Sequence, residues 1–292
     1  MARIHPTAVV DPAARIADDA VIGAYSCIGP DVELEAGVEI APHVVVEGRT
    51  RIGAGTRVYP FASLGQPPQS LRYRGEPTRL EIGRRNIIRE HVTMNTGTED
   101  GGRVTRIGDD GFFMVGVHVA HDCQIGSRVI MANSATLGGH VVLGDHVTVG
   151  GLVAVHQFVR IGSHAMIGGM SALGGDVIPF GIAAGGRMVV PNAESGGNRH
   201  VAAREAVLMG LNLVGLRRRG FAQADIAALR AAYRDIFAGP GTLAERVAAF
   251  VSRCPGVGPV AELAAFLRAK GRRPLCRPFA VGGDDGTDDQ AG

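Results

Sequence analysis

The sequence lacks tryptophan and holds few aromatic residues and few cysteines. Aromatic residues make up 5% of the 292 residues while 46% are hydrophobic, so a large core must be built mainly from aliphatic side chains. The cysteines, Cys27, Cys123, Cys254 and Cys276, show neither CxxC nor paired spacing. This scatter excludes a disulfide framework or a zinc ribbon and favours reduced thiols in the cytoplasm.

A large net charge of either sign and long apolar runs are also missing. Thirty basic residues against 28 acidic ones leave a formal net charge of +2, so no global field favours nucleic acid as a partner. Charged residues recur from the N-terminus onwards, and no run of ~18 apolar residues occurs. We therefore expect a cytoplasmic globular protein with neither a signal peptide nor membrane insertion.

Glycine is abundant, with 43 residues, and the apolar residues follow a six-residue period. From Ile4 to Val58, and again from Ile107 to Leu173, every sixth residue is apolar. In the second run the fifth residue of each hexad is Gly, Ala, Ser, Cys or Val. A hexapeptide period is the signature of a parallel β-helix, in which three hexads close one coil and the coils stack as parallel strands. The apolar and the small residue of each hexad are predicted to point inwards.

Two stretches interrupt the period, and we expect both to leave the coil as external loops. Residues 64–81 carry three prolines and no clean hexad, and residues 97–105 shift the phase of the repeat by one residue. Insertions of this kind lie on one face of a solenoid and are often functional. The sequence thus predicts a mainly β protein, with a β-helix over residues 1–187 and two external loops.

Beyond residue 187 the period is lost and alanine-rich sequence begins. Apolar residues there recur at i, i+3 and i+4, which indicates helices. The predicted helices cover residues 201–219, 222–239, 242–253 and 259–270. We expect residues 188–205 to form an insert or linker, residues 206–275 a small helical domain, and the acidic tail 276–292 to be disordered.

Histidines in the second run are candidate functional residues because the repeat has no structural use for them. His118 and His121 lie three residues apart, His140 follows His121 by 19 residues, and His156 follows His140 by 16. Since a coil has about 18 residues, we expect all four along one edge of the prism, within reach of one substrate. The remaining histidines are interpreted as surface residues: His5, His43, His146, His164 and His200.

Two chemistries fit such a cluster of imidazoles. Three histidines on stacked coils hold zinc in γ-class carbonic anhydrases. Alternatively, a neutral imidazole removes a proton from a hydroxyl near pH 7. No nucleophilic Ser or Cys has a plausible base nearby, and Cys123 occupies an inward position of the core. Acyl transfer would therefore be direct, with the substrate hydroxyl attacking an activated acyl group.

Several blocks of the sequence resemble those of the UDP-N-acetylglucosamine 3-O-acyltransferases that begin lipid A synthesis. The blocks, in chain order, are RGEPTRLEIG, VHVAHDCQIG, ANSATLGGHV, AVHQFVRIG and NLVGLRRRGF. The resemblance covers roughly residues 4–270 and implies a left-handed parallel β-helix with a helical C-terminal domain. It also implies homotrimers with clefts between subunits, no metal and no cofactor. The implied reaction moves a (R)-3-hydroxyacyl chain from acyl carrier protein to the 3-hydroxyl of UDP-N-acetylglucosamine.

The resemblance assigns roles to individual positions. It makes His121 the general base, Asp122 the acid that orients it, and the Gly139 N–H part of an oxyanion hole. The residues it places around the sugar and acyl chain are His118, His140, His156, Gln157 and Asn212. It places Arg218 and Arg219 near the nucleotide phosphates or the carrier. A Gly at position 169 leaves room for a long acyl chain.

The sequence departs from the family pattern at four places. Arg72 replaces the lysine expected near the sugar phosphate, which keeps the charge but not the geometry. Asn95 stands where a histidine is common, and Val214 replaces a glutamate. The insert at 188–205 falls near the expected nucleotide site, where it either covers the site or decorates the surface.

Alternative functions remain open from the sequence. The N-acyltransferase of the same pathway shares the β-helix and the donor, but it generally carries a globular domain before the helix. A 3-amino analogue of the sugar acceptor would also fit. A zinc hydratase related to γ-carbonic anhydrase is less favoured, and a non-catalytic β-helix scaffold is the fourth possibility.

Overall fold

Short strands, most of them two residues long, follow one another at the six-residue period. The computed structural model describes residues 1–191, 198–254 and 256–279, without the side chains of residues 186–191 and 198–204. The strands of the repeat are β1 (Arg3–Ile4), β2 (Val9–Val10), β3 (Arg15–Ile16), β4 (Val21–Ile22), β5 (Cys27–Ile28), β6 (Glu33–Leu34), β7 (Glu39–Ile40), β8 (Val45–Val46), β9 (Arg49–Ile52), β10 (Arg57–Val58), β11 (Ser63–Gln66), β12 (Arg79–Ile82), β13 (Ile87–Ile88), β14 (Thr93–Asn95), β15 (Val104–Ile107), β16 (Phe112–Phe113), β17 (His118–Val119), β18 (Gln124–Ile125), β19 (Ile130–Met131), β20 (Thr136–Leu137), β21 (Val142–Leu143), β22 (Thr148–Val149), β23 (Ala154–Val155), β24 (Arg160–Ile161), β25 (Met166–Ile167) and β26 (Ala172–Leu173).

Every third strand pairs in parallel, so the chain winds into a prism with three sheets as its faces. The first face runs β1-β4-β7-β10-β13-β16-β19-β22-β25, the second β2-β5-β8-β11-β14-β17-β20-β23-β26, and the third β3-β6-β9-β12-β15-β18-β21-β24. Where no loop intervenes the pairing offset is 18 residues, as between His118 and Thr136. This confirms the predicted coil of three hexads.

The second residue of each short strand fills the interior of the prism. From Ile22 to Leu173 these aliphatic, Met and Phe residues are at most 4% exposed, and the small residues between them are buried as well. Burying each such side chain contributes about 1.5–3 kcal/mol relative to exposure. The predicted inward positions are confirmed, except at the open first coil, where Ile4 lies partly in solvent.

The turns between faces give the repeat its corners. Many corner residues that are not glycine have left-handed backbone, and Asp122 (φ 61°), His140 (φ 62°) and Phe158 (φ 68°) take the same corner in successive coils. The glycine that follows many strands has a different role, because it lets the backbones of successive coils approach each other closely. A Cβ on Gly144 would lie 2.5 Å from the backbone nitrogen of Ser163 in the next coil. The corner side chains therefore stack one coil above another.

The two interruptions of the repeat leave the prism at one corner. The first loop, residues 67–78, joins β11 on the second face to β12 on the third, and the second loop, residues 96–103, joins β14 to β15 in the same way. The corner between these two faces also carries Asp122 and His140, because β17 leads to β18 there and β20 to β21. Both loops therefore lie on the edge that holds the predicted site.

A long antiparallel hairpin follows the last coil, formed by β27 (Gly181–Pro191) and β28 (Asn198–Leu211). The predicted helix over residues 201–219 is therefore wrong up to Leu211. Ala206 and Leu208 are buried while their neighbours are more exposed, a period of two that suits a strand paired with β27. The insert 188–205 contributes to both strands, and its residues 192–197 lie outside the described residues.

The helical part begins after this hairpin. Its helices are α1 (Leu213–Arg218), α2 (Gln223–Phe237), α3 (Leu243–Arg253) and α4 (Gly258–Arg268). The last three match predicted helices to within a few residues, and Thr242 and Glu245 form a capping box that begins α3. Leu229, Ile236 and Leu263 are buried in its core. None of the helices described is long and apolar enough to cross a bilayer.

The segment after α4 returns to the prism. The Asp176 N–H donates to the Pro274 carbonyl (2.7 Å), and the Cys276 N–H donates to the Asp176 carbonyl (2.8 Å). The predicted disorder is therefore wrong at the start of the tail, since Cys276 is buried and the Leu208 N–H donates to the Arg277 carbonyl. Residues 280–292 of that tail lie outside the described residues.

A buried ion pair joins the last coil to the helices. Arg160 Nε donates to Asp176 Oδ2 (2.8 Å), and Arg160 also donates to the carbonyls of Phe266 and Ala269. Burial raises the pKa of the Asp176 carboxyl, and the hydrogen bonds from the Arg160 backbone and guanidinium oppose that shift. Because Asp176 is 1% exposed, it depends on Arg160 for compensation of its charge.

We predict that R160M lowers the free energy of unfolding by about 3 kcal/mol, since it leaves a buried carboxylate without its partner. The matched control is R15M, which removes an ion pair of equal length (2.8 Å) whose arginine side chain is 71% exposed. That change should cost less than about 0.5 kcal/mol. Denaturant titration of both variants measures the difference, and equal losses would contradict the assigned role of Arg160.

Candidate active site

A cavity of about 560 Å³ opens at the corner between the second and third faces. Four predicted site residues line it: Arg72, His121, His140 and Gln157. Residues that sequence reasoning did not find complete the lining: Ser70, Tyr73, Glu76, Thr98, Glu99, Asp100, Phe158 and Arg272. Most of these belong to the two loops, so the loops and the stacked corner form one site.

His121 and Asp122 form the central pair of the cavity. His121 Nδ1 lies 2.8 Å from Asp122 Oδ2, and the buried carboxylate also accepts hydrogen bonds from the Thr98 N–H (2.8 Å) and hydroxyl (2.5 Å). Burial raises the pKa of the Asp122 carboxyl, but the hydrogen bonds from His121 and Thr98 outweigh it and hold that pKa below its usual value. An ionised Asp122 fixes the proton of His121 on Nδ1 and leaves the lone pair on Nε2.

Gly139 lies directly against the His121 ring, one coil further along. A Cβ at Gly139 would lie 2.5 Å from His121 Cε1, so any side chain there would push the imidazole aside. Among the described residues none accepts a hydrogen bond from the Gly139 N–H. The site thus places an uncommitted N–H donor beside the His121 ring.

His140 completes the stacked corner. Its ring meets that of His121 edge to face at 5.1 Å, and its Nε2 lies 3.7 Å from Asp122 Oδ2. Burial lowers the pKa of His140 and is the largest effect on it. The Asp122 carboxylate opposes this shift, and the charges of His121 and Arg272 add to it. His140 is therefore a neutral hydrogen-bonding group near pH 7.

The prediction of four histidines along one edge is wrong. Phe158, and not His156, stacks on His140 with 4.5 Å between ring centroids, because Phe158 is the residue 18 positions further on. His118 lies on the second face in β17, where its Nδ1 is 2.7 Å from Thr93 Oγ1. Burial and the charge of His121 lower the pKa of His118. His156 directly follows β23 on the second face.

Two departures from the family pattern, Arg72 and Asn95, lie in or beside the two loops. Arg72 is exposed in the first loop, and its Nη1 lies 4.0 Å from Asp100 Oδ2 of the second loop. Asn95 is buried, and its Nδ2 donates to the carbonyls of Gln66 (3.4 Å) and Pro67 (3.1 Å) at the base of the first loop. Asn95 therefore anchors the loop, while its Oδ1 is buried without a partner among the described residues.

Asn212, Arg218 and Arg219 lie at another edge of the prism, between the third and first faces. Asn212 caps α1 by accepting from the Gly215 N–H (3.0 Å), and it donates to the His164 carbonyl (3.0 Å). Arg219 donates to the His146 carbonyl (3.0 Å), whereas Arg218 is exposed at the end of α1. Within one chain these residues are not brought to the cavity.

His146 and His164 are not plain surface residues, contrary to the expectation. Their rings stack at 4.7 Å, and His164 also packs against Phe180 and Phe221. Burial lowers the pKa of His164 to about 4, so the ring is neutral near pH 7. Left-handed corner residues of successive coils overlap, which explains why both imidazoles are packed.

The zinc alternative can be tested against the donor set. His121, Asp122 and His140 place one candidate ligand atom each within 4.8 Å of one another. Asp122 Oδ2 already accepts from His121 and the Thr98 hydroxyl, and Oδ1 accepts from the Thr98 N–H. A metal bound at Asp122 Oδ2 would have to displace the His121 and Thr98 hydroxyl hydrogen bonds, so this oxygen is already committed to protein donors.

Comparisons with known proteins agree with this geometry. The family model described as Udp N-acetylglucosamine O-acyltransferase; Domain 2 matches residues 200–276. The chain is 51% identical over 278 residues to the acyl-(acyl-carrier-protein)–UDP-N-acetylglucosamine O-acyltransferase of Azorhizobium caulinodans, covering 95% of this chain and 96% of that protein. It is 52% identical over 275 residues to the protein of the same name from Caulobacter vibrioides, with 94% and 98% covered. The solved UDP-N-acetylglucosamine acyltransferase from Campylobacter jejuni superposes with a TM-score of 0.82 at 36% identity, covering 95% of this chain and 100% of that one.

Fold and site together define an acyltransferase of the hexapeptide-repeat class, and the prism is the left-handed parallel β-helix that the family resemblance implies. The full-length similarity then narrows the class. The chain belongs to the acyl-(acyl-carrier-protein)–UDP-N-acetylglucosamine O-acyltransferase family.

Proposed function

We propose that the chain transfers a (R)-3-hydroxyacyl group from acyl carrier protein to the 3-hydroxyl of UDP-N-acetylglucosamine, the first step of lipid A biosynthesis. The observation that carries the proposal is the pair of His121 and buried Asp122 at the wall of the cavity. The relatives named above are O-acyltransferases, which favours a hydroxyl acceptor over the N-acyltransferase and 3-amino-sugar alternatives. The free thiols Cys27, Cys123 and Cys276 favour the cytoplasm as its location.

The proposed reaction is a direct displacement at the thioester. His121 Nε2 takes the proton of the sugar 3-hydroxyl while the oxygen forms a bond to the thioester carbonyl carbon. The Gly139 N–H donates to the oxygen that becomes negative in the tetrahedral intermediate. The C–S bond then breaks, and the carrier thiolate recovers the proton from His121. Asp122 keeps its charge throughout and stabilises the imidazolium between the two steps.

We assign the remaining predicted residues to substrate contacts of this reaction. His140 and Gln157 line the cavity and donate or accept hydrogen bonds there. His118 and His156 lie on the adjoining second face, where they form hydrogen bonds to the sugar or the acyl chain. Arg72 supplies an exposed cation at the mouth of the cavity for the anionic part of the nucleotide sugar. Asn95 acts through the position of the first loop.

We predict that H121A lowers kcat about 1,000-fold, because no other group in the cavity replaces the oriented base. D122N should lower kcat about 100-fold, since an amide no longer fixes the proton on Nδ1. Mass-detected product formation from UDP-N-acetylglucosamine and a 3-hydroxyacyl carrier protein measures both changes. H5A is the matched control, because the His5 ring forms a hydrogen bond with Thr7 near the open end of the prism, and kcat of this variant should stay within about twofold. An H121A protein that folds and keeps full activity would overturn the proposal.

We further propose a homotrimer, because the third face of the prism is charged whereas the edge opposite it is apolar. The third face is covered by a ladder of ion pairs in which Arg15 pairs with Glu33 and Arg106 with Glu81. The opposite edge, between the first and second faces, is instead apolar and aromatic. Its stacked or exposed side chains, here called the apolar edge, are Tyr25, His43, Phe61, His91, Leu152 and Met170.

The apolar edge favours association between copies of the chain. Leu152 and Met170 are 62% and 76% exposed, although both are large apolar residues. Contiguous exposed apolar surface marks an interaction site. Association around a threefold axis along this edge would bring a neighbouring subunit beside the second face. Exposed groups such as Arg218 would then serve the nucleotide phosphates or the acidic carrier from a neighbouring subunit.

We predict that L152R shifts the protein from trimer towards monomer, because a buried unpaired charge at the apolar edge opposes association. The matched control is V142R, which places the same charge on a partly exposed apolar position of the third face. Sedimentation velocity measures both, and V142R should remain trimeric. A wild-type protein that sediments as an active monomer would contradict the assembly.

Gly169 lies exposed on the coil turn next to Met170, at the apolar edge. A Cβ there would meet only the backbone of Gly151, with its oxygen at 3.2 Å, and otherwise open space. We propose that this space accepts the far end of a long 3-hydroxyacyl chain between subunits.

We predict that G169M lowers kcat/KM for long donors at least about tenfold relative to shorter ones, because its side chain fills the groove. G169A is the matched control, since it adds only a Cβ and should change the preference less. Competition between 3-hydroxyacyl carrier proteins of several lengths measures the ratio. An unchanged preference in G169M would refute the assignment.

A further inference from the structure

The segment that follows α4 brings Arg273 against His156, next to Gln157 in the cavity lining. Arg273 Nη2 lies 2.6 Å from His156 Nδ1, and Arg273 Nε donates to the Gln157 carbonyl at 3.0 Å. The two residues are 117 positions apart in the chain. One guanidinium thus holds both the side chain of His156 and the backbone that follows it.

The contact determines which nitrogen of His156 carries the proton. A guanidinium has only donors, so at 2.6 Å the Nδ1 atom must present its lone pair to Arg273. The neutral ring then carries its hydrogen on Nε2. In the other tautomer Nδ1 would donate to the Gln157 carbonyl, which lies 3.2 Å away. Arg273 already donates to both His156 Nδ1 and the Gln157 carbonyl, and so disfavours a hydrogen bond between them.

The backbone on both sides of Arg273 is held firmly against the prism. The Pro274 carbonyl accepts from the Asp176 N–H at 2.7 Å, and a Cβ on Gly271 would lie 2.2 Å from Asp176 Oδ2. The Arg272 guanidinium lies over the Phe158 ring at 4.5 Å. Arg273 is therefore a pre-positioned group, and its fork geometry suits two simultaneous acceptors.

We propose that Arg273 is a positioning residue that keeps the proton of His156 on Nε2, so that His156 donates a hydrogen bond to an oxygen of the bound substrate. This inference rests on the proposed function, because it assigns His156 the role of a donor within that reaction. Through Arg273 the C-terminal helical part acts on the site of its own chain.

The first test reads the tautomer directly. In protein labelled with ¹⁵N in the histidine rings, with the His156 signals assigned through H156Q, long-range ¹H–¹⁵N correlation distinguishes a protonated from an unprotonated ring nitrogen. We expect Nε2 protonated and Nδ1 unprotonated in the wild-type protein, and loss of this pattern in R273Q. A wild-type spectrum with the proton on Nδ1 overturns the inference, even if R273Q does not fold.

The second test is kinetic. R273Q should lower kcat/KM about tenfold, as expected for one lost hydrogen bond to the substrate, with R273K recovering part of the loss. R268Q is the matched control, since Arg268 ends α4 without lining the cavity. The effects of R273Q and H156A should not add in the double variant, whereas a merely structural effect would add. Wild-type kinetics in R273Q, or full additivity, would overturn the inference.

The outcome for H121A keeps this inference separate from the proposed function. Loss of activity in H121A together with an unchanged His156 tautomer in R273Q refutes only the role of Arg273. Full activity in a folded H121A protein refutes the proposed reaction itself.

Discussion

The 18-residue register of the stacked coils is the constraint on which the site depends. Most strands hold their neighbours by only two residues, so the whole stack must repeat to satisfy its backbone. That register places Gly139 against the His121 ring and His140 beside Asp122. A slip of one residue would reverse inward and outward side chains and separate His121 from Gly139 and Asp122 from His140. The same regularity that builds the core therefore aligns the groups around His121 and Asp122.

The loops show how a rigid repeat acquires a cavity. Both leave the prism where the second face turns into the third, and the strands on either side keep their parallel partners, as in β12 with β15. The stack therefore tolerates the insertions without losing its register. The loops carry polar groups to the corner that the repeat by itself lacks, above all Thr98, whose two hydrogen bonds hold the Asp122 carboxylate.

Polar contacts between residues far apart in the chain hold the C-terminal part against the prism, and local sequence patterns do not predict them. Arg160 neutralises buried Asp176 and reaches the carbonyl groups at the end of α4. This fixes the return of the chain from α4, and with it the position of Arg272 over Phe158 and of Arg273 at His156. Removing a buried polar network of this kind affects both stability and the geometry of the groups it holds.

The sequence by itself determined the repeat, the inward residues, the two loops and the neighbourhood of His121 and Gly139, because each follows from a local period that repeats down the chain. His156 follows His140 by 16 residues and not by the 18 of one coil, so the sequence already excluded it from the edge. Counting 18 residues from His140 leads to Phe158. Only the tertiary structure decided that residues 201–211 form a strand, since pairing with β27 overrides an alanine-rich helical pattern. Only it could bring Arg273 to His156, because a contact across more than a hundred residues leaves no periodic trace.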